Sequence, residues 1–304
     1  MTASESRPSE FDGRLTGERD WREIVAWVGD LPPMPQVAAR AISMVEDPET
    51  TAQSLTDLLS NDAALAARVL KIANSAMFSR QREITTLSQA VMIIGFKALK
   101  GIIVAATLRQ LNKNFGTLEK LIWENSMCTA MGITLLAKQL RKPYVEEIFL
   151  YGLLHSLGQI VFLSQADTSK DYPNVLASIE NNSETYAEAE QQVYGFSHPL
   201  IGALVAKKWN FSAETCQVIL HYCDPIDGES PENELEEKTA FVKLGEMLSH
   251  LAGIGSPEGY PDQREGALSL LKYLGVGQDN PDEFLDKLIE DTKAQYELEG
   301  SVYS

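Results

Sequence analysis

The stretch Asp62-Ala63-Ala64-Leu65-Ala66-Ala67-Arg68-Val69-Leu70-Lys71-Ile72-Ala73 decides how the rest of the chain reads. Asp62 can accept the free amides of a first helical turn. Leu65, Val69, Ile72 and Ala73 then recur at i, i+4, i+7 and i+8, which is one apolar stripe at the helical period. The same period returns on both sides. Upstream, Pro35 sits in the first turn of a helix over 35–46, where a missing amide costs nothing, and Thr50 or Thr51 starts another to Leu59. Downstream, the turn from Asn74 to Ser79 closes the Asp62 helix. There Asn74 tolerates a left-handed backbone and Ser75 caps the segment after it; the other reading makes the turn a ligand contact beside Arg80 and Arg82. Thr86 opens a helix to Ile94, broken at Gly95, and a helix over 96–111 comes next.

Helical periodicity continues over 118–140, 145–163, 173–181, 184–193, 199–209, 213–221, 235–251, 263–273 and 281–298. A short amphipathic piece at 21–28 precedes them all, and no segment sustains strand alternation. The expectation is an all-α fold. Residues 1–20 are polar and expected to be disordered. Residues 21–225 form the main unit, with front helices over 21–115 and a bundle over 116–225. A polar loop containing Pro225, Gly228 and Pro231 then leads to an acidic helical extension, 226–304, packed on the bundle.

The 304 residues include 43 acidic and 26 basic side chains, a formal net charge of −17. Three scattered cysteines (Cys128, Cys216, Cys223) argue for a reducing compartment rather than a disulfide framework. The opening MTASESRPSE carries no apolar run. The longest apolar candidate, 91–108, is interrupted by Lys97 and Lys100, so no membrane span is expected and the location is expected to be cytoplasmic. The charge is uneven. Residues 224–304 hold 19 acidic and 6 basic side chains, whereas 63–118 holds eight basic ones against Glu83 alone. Arg68, Lys71, Arg80, Arg82, Lys97 and Lys100 are therefore candidates for meeting an anionic partner. The plainer reading is a solvated helix face, or one paired to the acidic last quarter. With only Phe78, Phe96 and Phe115 nearby, there is no stacking platform, and nucleic acid is disfavoured.

Four histidines stand out: His155 in Gly152-Leu-Leu-His155-Ser156-Leu-Gly158, His198 after Glu190-Gln-Gln-Val-Tyr-Gly195-Phe-Ser, His221 at a helix end, and His250. Three imidazoles on three helices could converge on one ion. The alternative, which spacing favours, is a set of buried histidines each hydrogen-bonded to a neighbour, because none has the tight spacing of a zinc motif. There is no glycine-rich phosphate loop, no GxSxG elbow and no HExxH. Cys128 reads as a core residue.

Several motifs together, Leu31-Pro-Pro-Met-Pro35, Val45-Glu-Asp-Pro48, Ser60-Asn-Asp-Ala-Ala-Leu65 through Leu70, Ala73-Asn-Ser-Ala76, Ile84-Thr-Thr-Leu-Ser-Gln-Ala-Val91 with Ile94-Gly95, the Trp123 segment, Gly152–Gly158 and Gly195–Trp209, resemble the HDOD family over about residues 28–225. This resemblance implies an all-helical regulatory domain with an HD-like bundle, related to the HD and HD-GYP metal-dependent phosphohydrolases. It also implies where the metal ligands of those relatives would fall. A histidine expected after Trp123-Glu124 is Asn125 here. The paired His-Asp is His155-Ser156, and the paired histidine near the bundle's end is His221-Tyr222. His198 and His221 match ligand positions, and Glu246 stands in for a last aspartate. A neutral Ser156 cannot offset the repulsion of two cations as a carboxylate would. The expected function is thus non-catalytic signal transduction through a protein partner or a small ligand, without a cofactor. The remnant pocket would comprise Asn125, His155, Ser156, His198, His221 and Glu246. The alternative is a phosphohydrolase with a reduced metal site, one ion on His155, His198 and His221.

Overall fold

Six helix starts among the described residues are fixed by short polar side chains that accept the first free amides. Thr51 and Ser54 form a reciprocal capping box, and Asp62 accepts from the amides of Ala64 and Leu65 at 3.1 and 3.0 Å. Thr86, Ser212 and Asn233 cap three more helices in the same way, and Thr185 pairs with Glu188 in a second box. The computed structural model describes residues 34–75, 77–78, 83–111 and 116–303. The expectations for 1–20 and 21–28, and the side chains of Arg80, Arg82 and Lys113, lie outside the described residues.

In chain order the helices are α1 Gln36–Glu46, α2 Ala52–Leu59, α3 Ala63–Ala73, α4 Leu87–Ile94, α5 Phe96–Leu111, α6 Thr117–Gln139, α7 Val145–Leu154, α8 Leu157–Ser164, α9 Ala166–Ser169, α10 Tyr172–Asn182, α11 Tyr186–Tyr194, α12 His198–Lys208, α13 Ala213–His221, α14 Glu234–Leu251, α15 Arg264–Tyr273 and α16 Pro281–Tyr303. Among the described residues there is no strand, and the fold is all-α. In α3 the stripe Leu65, Val69, Ile72 and Ala73 is buried as the periodicity predicts.

The hub is α6. Its residues from Ile122 to Ala137 are buried on nearly every side, which is what a helix apolar all round requires. It packs against α7, α14 and α16. Two cores result. One joins the front helices α1–α5 to the first half of α6 and to α8, α10, α11 and α12. The other is built from Ile133 and Leu136 of α6, Ile148 and Tyr151 of α7, and Phe241, Leu244, Leu271 and Leu285 of the helices after residue 225. Those last helices therefore share a core with the bundle.

Two expectations need correction. Asn74 is not left-handed (φ −88°, ψ 2°). It instead clamps the end of α3 to Ile84, accepting from the Ile84 amide and donating to its carbonyl, both at 2.7 Å. The apolar stretch 145–164 is not one helix but breaks at His155-Ser156. The His155 Nδ1–H donates to the Gly152 carbonyl at 2.6 Å, taking the acceptor that the Ser156 amide would use in an unbroken helix. Long and apolar enough to cross a membrane, this stretch is mostly buried inside the protein.

Two lysines of the basic stretch, Lys97 and Lys100, are neutralised by carboxylates. Lys100 is buried, its ammonium bonded to Glu46 and set 5.3 Å from the centre of the Phe211 ring, so it cannot face an anionic partner. Lys97 is exposed but pairs with Glu147 at 2.6 Å. Both counter-ions precede residue 224, so for these two lysines the acidic last quarter is not the partner. Arg68 is half-buried, and its Nη1 has no hydrogen-bond partner among the described residues.

Candidate functional site: a closed polar centre

The helix break puts His155 and Ser156 at the junction of α7 and α8, facing Asn125 and Ser126 on α6. All four are buried. Burial pulls the His155 pKa down to about 4, outweighing the opposite pull of Glu246 and of the Gly152 bond. The ring is therefore neutral at ordinary pH. With Nδ1 donating to Gly152, Nε2 offers a lone pair to the Asn125 side-chain amide, whose oxygen and nitrogen are interchanged by a half-turn. Asn125 reaches His155 Nε2 at 3.0 Å on one side and His250 Nε2 at 3.4 Å on the other. Ser126 donates to the Ile122 carbonyl at 2.8 Å and bonds the Ser156 hydroxyl.

His198 is held by a second set of contacts. The fully buried Glu190 carboxylate accepts from the His198 amide at 2.7 Å, from Nδ1 at 2.6 Å and from the Tyr172 hydroxyl at 3.0 Å. With Nδ1 donating, Nε2 accepts from the Tyr222 hydroxyl. Burial pushes the Tyr222 phenol up, so it keeps the proton it donates. Gly158 makes this approach feasible: a Cβ there would lie 2.1 Å from the His198 carbonyl oxygen. Tyr222 also meets the His155 ring edge-on at 5.2 Å and so spans both imidazoles.

The third wall comes from after residue 225. Glu246 and His250, one turn apart on α14, approach to 3.9 Å. Burial pushes the Glu246 carboxyl up, but the neighbouring His250 outweighs burial and holds it below the ordinary value. Tyr260 stacks on His250 at 3.7 Å between centroids. Gly255, at φ +62°, brings its backbone so near Asn125 that a Cβ would sit 2.3 Å from the Asn125 nitrogen.

Of the six residues named from sequence, Asn125, His155, Ser156, His198 and Glu246 line this centre. His221 does not. Its side chain is 42% exposed and binds Asp224 at 2.8 Å, while the next residue, Tyr222, points inward. The reason lies in the helical register, because Val218 and Tyr222 lie on the buried face of α13 and its C-terminal end, and His221 is rotated off it. Sequence reading missed Glu190, Tyr222, Tyr260 and His250. The i, i+4 pair Glu246/His250 was a signal for the last, and Glu190 stood in the same motif as His198.

The donors do not fit an ion. Both ring nitrogens of His155 and of His198 already face protein groups, His221 is turned away, and Ser156 replaces the anionic bridge. Among the described residues no group of three or more His, Cys, Asp or Glu side chains is placed to hold a metal.

The HDOD domain family model matches residues 31–225. The chain therefore belongs to the HDOD domain family. It is similar to the crystal structure of an HDOD domain protein of unknown function from Geobacter sulfurreducens, at 25% identity and a TM-score of 0.72, covering 91% of this chain and 96% of that one. A Shewanella amazonensis SB2B structure titled "Putative phosphohydrolase" shares the fold at 22% identity and a TM-score of 0.66, covering 90% of this chain and 97% of that one. Coverage of that extent necessarily includes helices after residue 225. An uncharacterized protein of Treponema pallidum (strain Nichols) is 25% identical over 193 residues, 60% of this chain; the chain spans about a third (36%) of that relative's length.

Proposed function

We propose that this HDOD chain is a cytoplasmic regulatory module of bacterial signalling that acts by binding a protein partner and does not turn over a phosphoester. One observation carries the reading: positions that would ligate metal are closed by hydrogen bonds within the protein, Asn125 with His155, Ser156 with Ser126 and His198 with Tyr222. Metal-assisted hydrolysis needs an ion to lower the pKa of a bound water and neutralise phosphoryl charge, and these groups are committed to hydrogen bonds instead. No cofactor is required in this reading. The polar centre serves as a specific buried network that sets the relative positions of α6, α7, α12 and α14.

The test is metal content and hydrolysis on the full chain. After incubation with manganese, iron or zinc and gel filtration, the protein should retain far less than one ion per chain. It should also leave bis(p-nitrophenyl) phosphate and a cyclic dinucleotide uncleaved. Stoichiometric metal with phosphodiesterase activity that His155→Ala abolishes would refute the proposal.

A further inference from the structure

Two recesses flank α13. On one side lies an apolar groove of about 280 Å³ between α12 and α13, walled by Leu200, Leu204, Phe211, Cys216 and Leu220. On the other lies a cleft of about 670 Å³ between the end of α13, the 224–233 loop and α14. Gln217 lines both, so the recesses meet across one half-buried polar side chain. The larger one has a partly apolar floor, including Ile226, Leu235 and Tyr273, and an acidic wall of Asp224, Asp227, Glu229, Glu232 and Glu236.

The charge there is not cancelled. Asp227, Glu229 and Glu232 are exposed and form no ion pair among the described residues. The basic groups nearby are fewer: Lys243 directs its ammonium to the Asp224 carbonyl at 2.6 Å, His221 binds Asp224, and Lys207 borders the apolar groove. A concave surface of one sign focuses its field outward and draws the opposite charge.

We propose that these paired recesses are a docking seat for a basic amphipathic segment of a partner protein, its apolar face in the Leu204/Phe211 groove and its lysines or arginines along the Asp227–Glu232 wall. The choice of occupant rests on charge complementarity on one side and apolar lining on the other. The seat depends on the partner-binding reading above and assigns its surface. It also shares a helix with the polar centre, since Tyr222 comes directly after α13 and holds His198.

The probe is a helical peptide of about 18 residues, leucines on one face and lysines on the other, titrated into the full chain at low salt. Controls are a leucine/glutamate counterpart and a lysine-only peptide. The lysine/leucine peptide should bind and both controls should not. D227N/E229Q/E232Q should weaken binding about tenfold, as expected for three exposed charge pairs, and L204Q should weaken it about fivefold. Removing three distant charges (E258Q/D279N/E290Q) should change it less than twofold. Absence of binding overturns the seat, as does equal loss on the distant triple, an unchanged affinity in L204Q, or equal binding of the lysine-only peptide. The hydrolysis assay on the same preparation separates the two claims: activity refutes the non-catalytic reading whatever the peptide does, and lost binding without activity refutes the seat alone.

Discussion

Replacing Lys238 with methionine tests the junction between the family-matched segment and the helices after it. Lys238 lies on α14, its side chain only 3% exposed, between Tyr144 and Tyr151, whose ring centres are 5.2 and 5.9 Å from the ammonium. The ammonium binds Glu214 of α13 and Glu234 (2.6 Å), and lies 3.6 Å from Glu147 of α7. Methionine fills similar volume, so the main loss is charge. Breaking a buried pair strands the remaining charges at a cost of about 3–5 kcal/mol. Here the stranded carboxylates are 28, 41 and 58% exposed and Glu147 keeps Lys97, so water and that lysine recover part of the loss. The expected destabilisation is about 2–3 kcal/mol, and the melting temperature should fall by roughly 3–5 °C. Part of the deficit should disappear at high salt, which screens the three carboxylates, and Glu214→Gln added to Lys238→Met should cost less than the sum of the two changes. Thermal and urea unfolding measure this. A Lys238→Met protein that melts within a degree of the wild type would refute the claim that this lysine ties α7, α13 and α14 together.

Tyr222→Phe should cost about 1–3 kcal/mol by leaving the buried His198 nitrogen without its donor, whereas His221→Ala should stay within about 0.5 kcal/mol; the reverse order in denaturant unfolding would put His221 inside. Gly158→Ala should destabilise by about 3 kcal/mol, since its methyl would overlap the His198 backbone and only a helix shift relieves that; wild-type stability would show that α8 and α12 do not approach so closely. His155 gives a pH dependence. Its folded pKa of about 4 lies below the unfolded 6.5, so the unfolded chain binds more protons between these values. Its contribution is full above pH 6.5 and is lost as pH falls toward 4, about 2 kcal/mol less at pH 5 than at pH 8. Stability curves for wild type and His155→Gln that stay parallel over that range would contradict the buried neutral imidazole.

Most of the fold was legible because local rules were not opposed. Asp62, Thr86 and Ser212 cap where short oxygen-bearing side chains should, and the stripe of α3 faces the core. The break at His155 was not legible, since no proline or glycine marks it; the cause is a side chain competing for a main-chain acceptor. His221 looked like a ligand because its place in the motif was right, yet the helical register puts Tyr222 inside. The basic stretch misled for a similar reason. Lys100 and Glu46 are far apart along the chain, and only their packing across α1 and α5 shows that the charge is internally met. Glu246 and His250 carried a readable i, i+4 spacing, but nothing local says that α14 folds back onto Asn125.

That return of α14 has a consequence for the order in which the chain can mature. On a ribosome, Asn125, His155 and His198 emerge well before Glu246, His250 and Tyr260. Until the later helices are made, Asn125 has no His250 to face and the second core has only one wall. The nascent front portion must therefore wait, hydrated and incompletely packed, for its last partners. Residues 31–225 bear the family's pattern, but the second core and the wall facing Asn125 are completed only by helices past them.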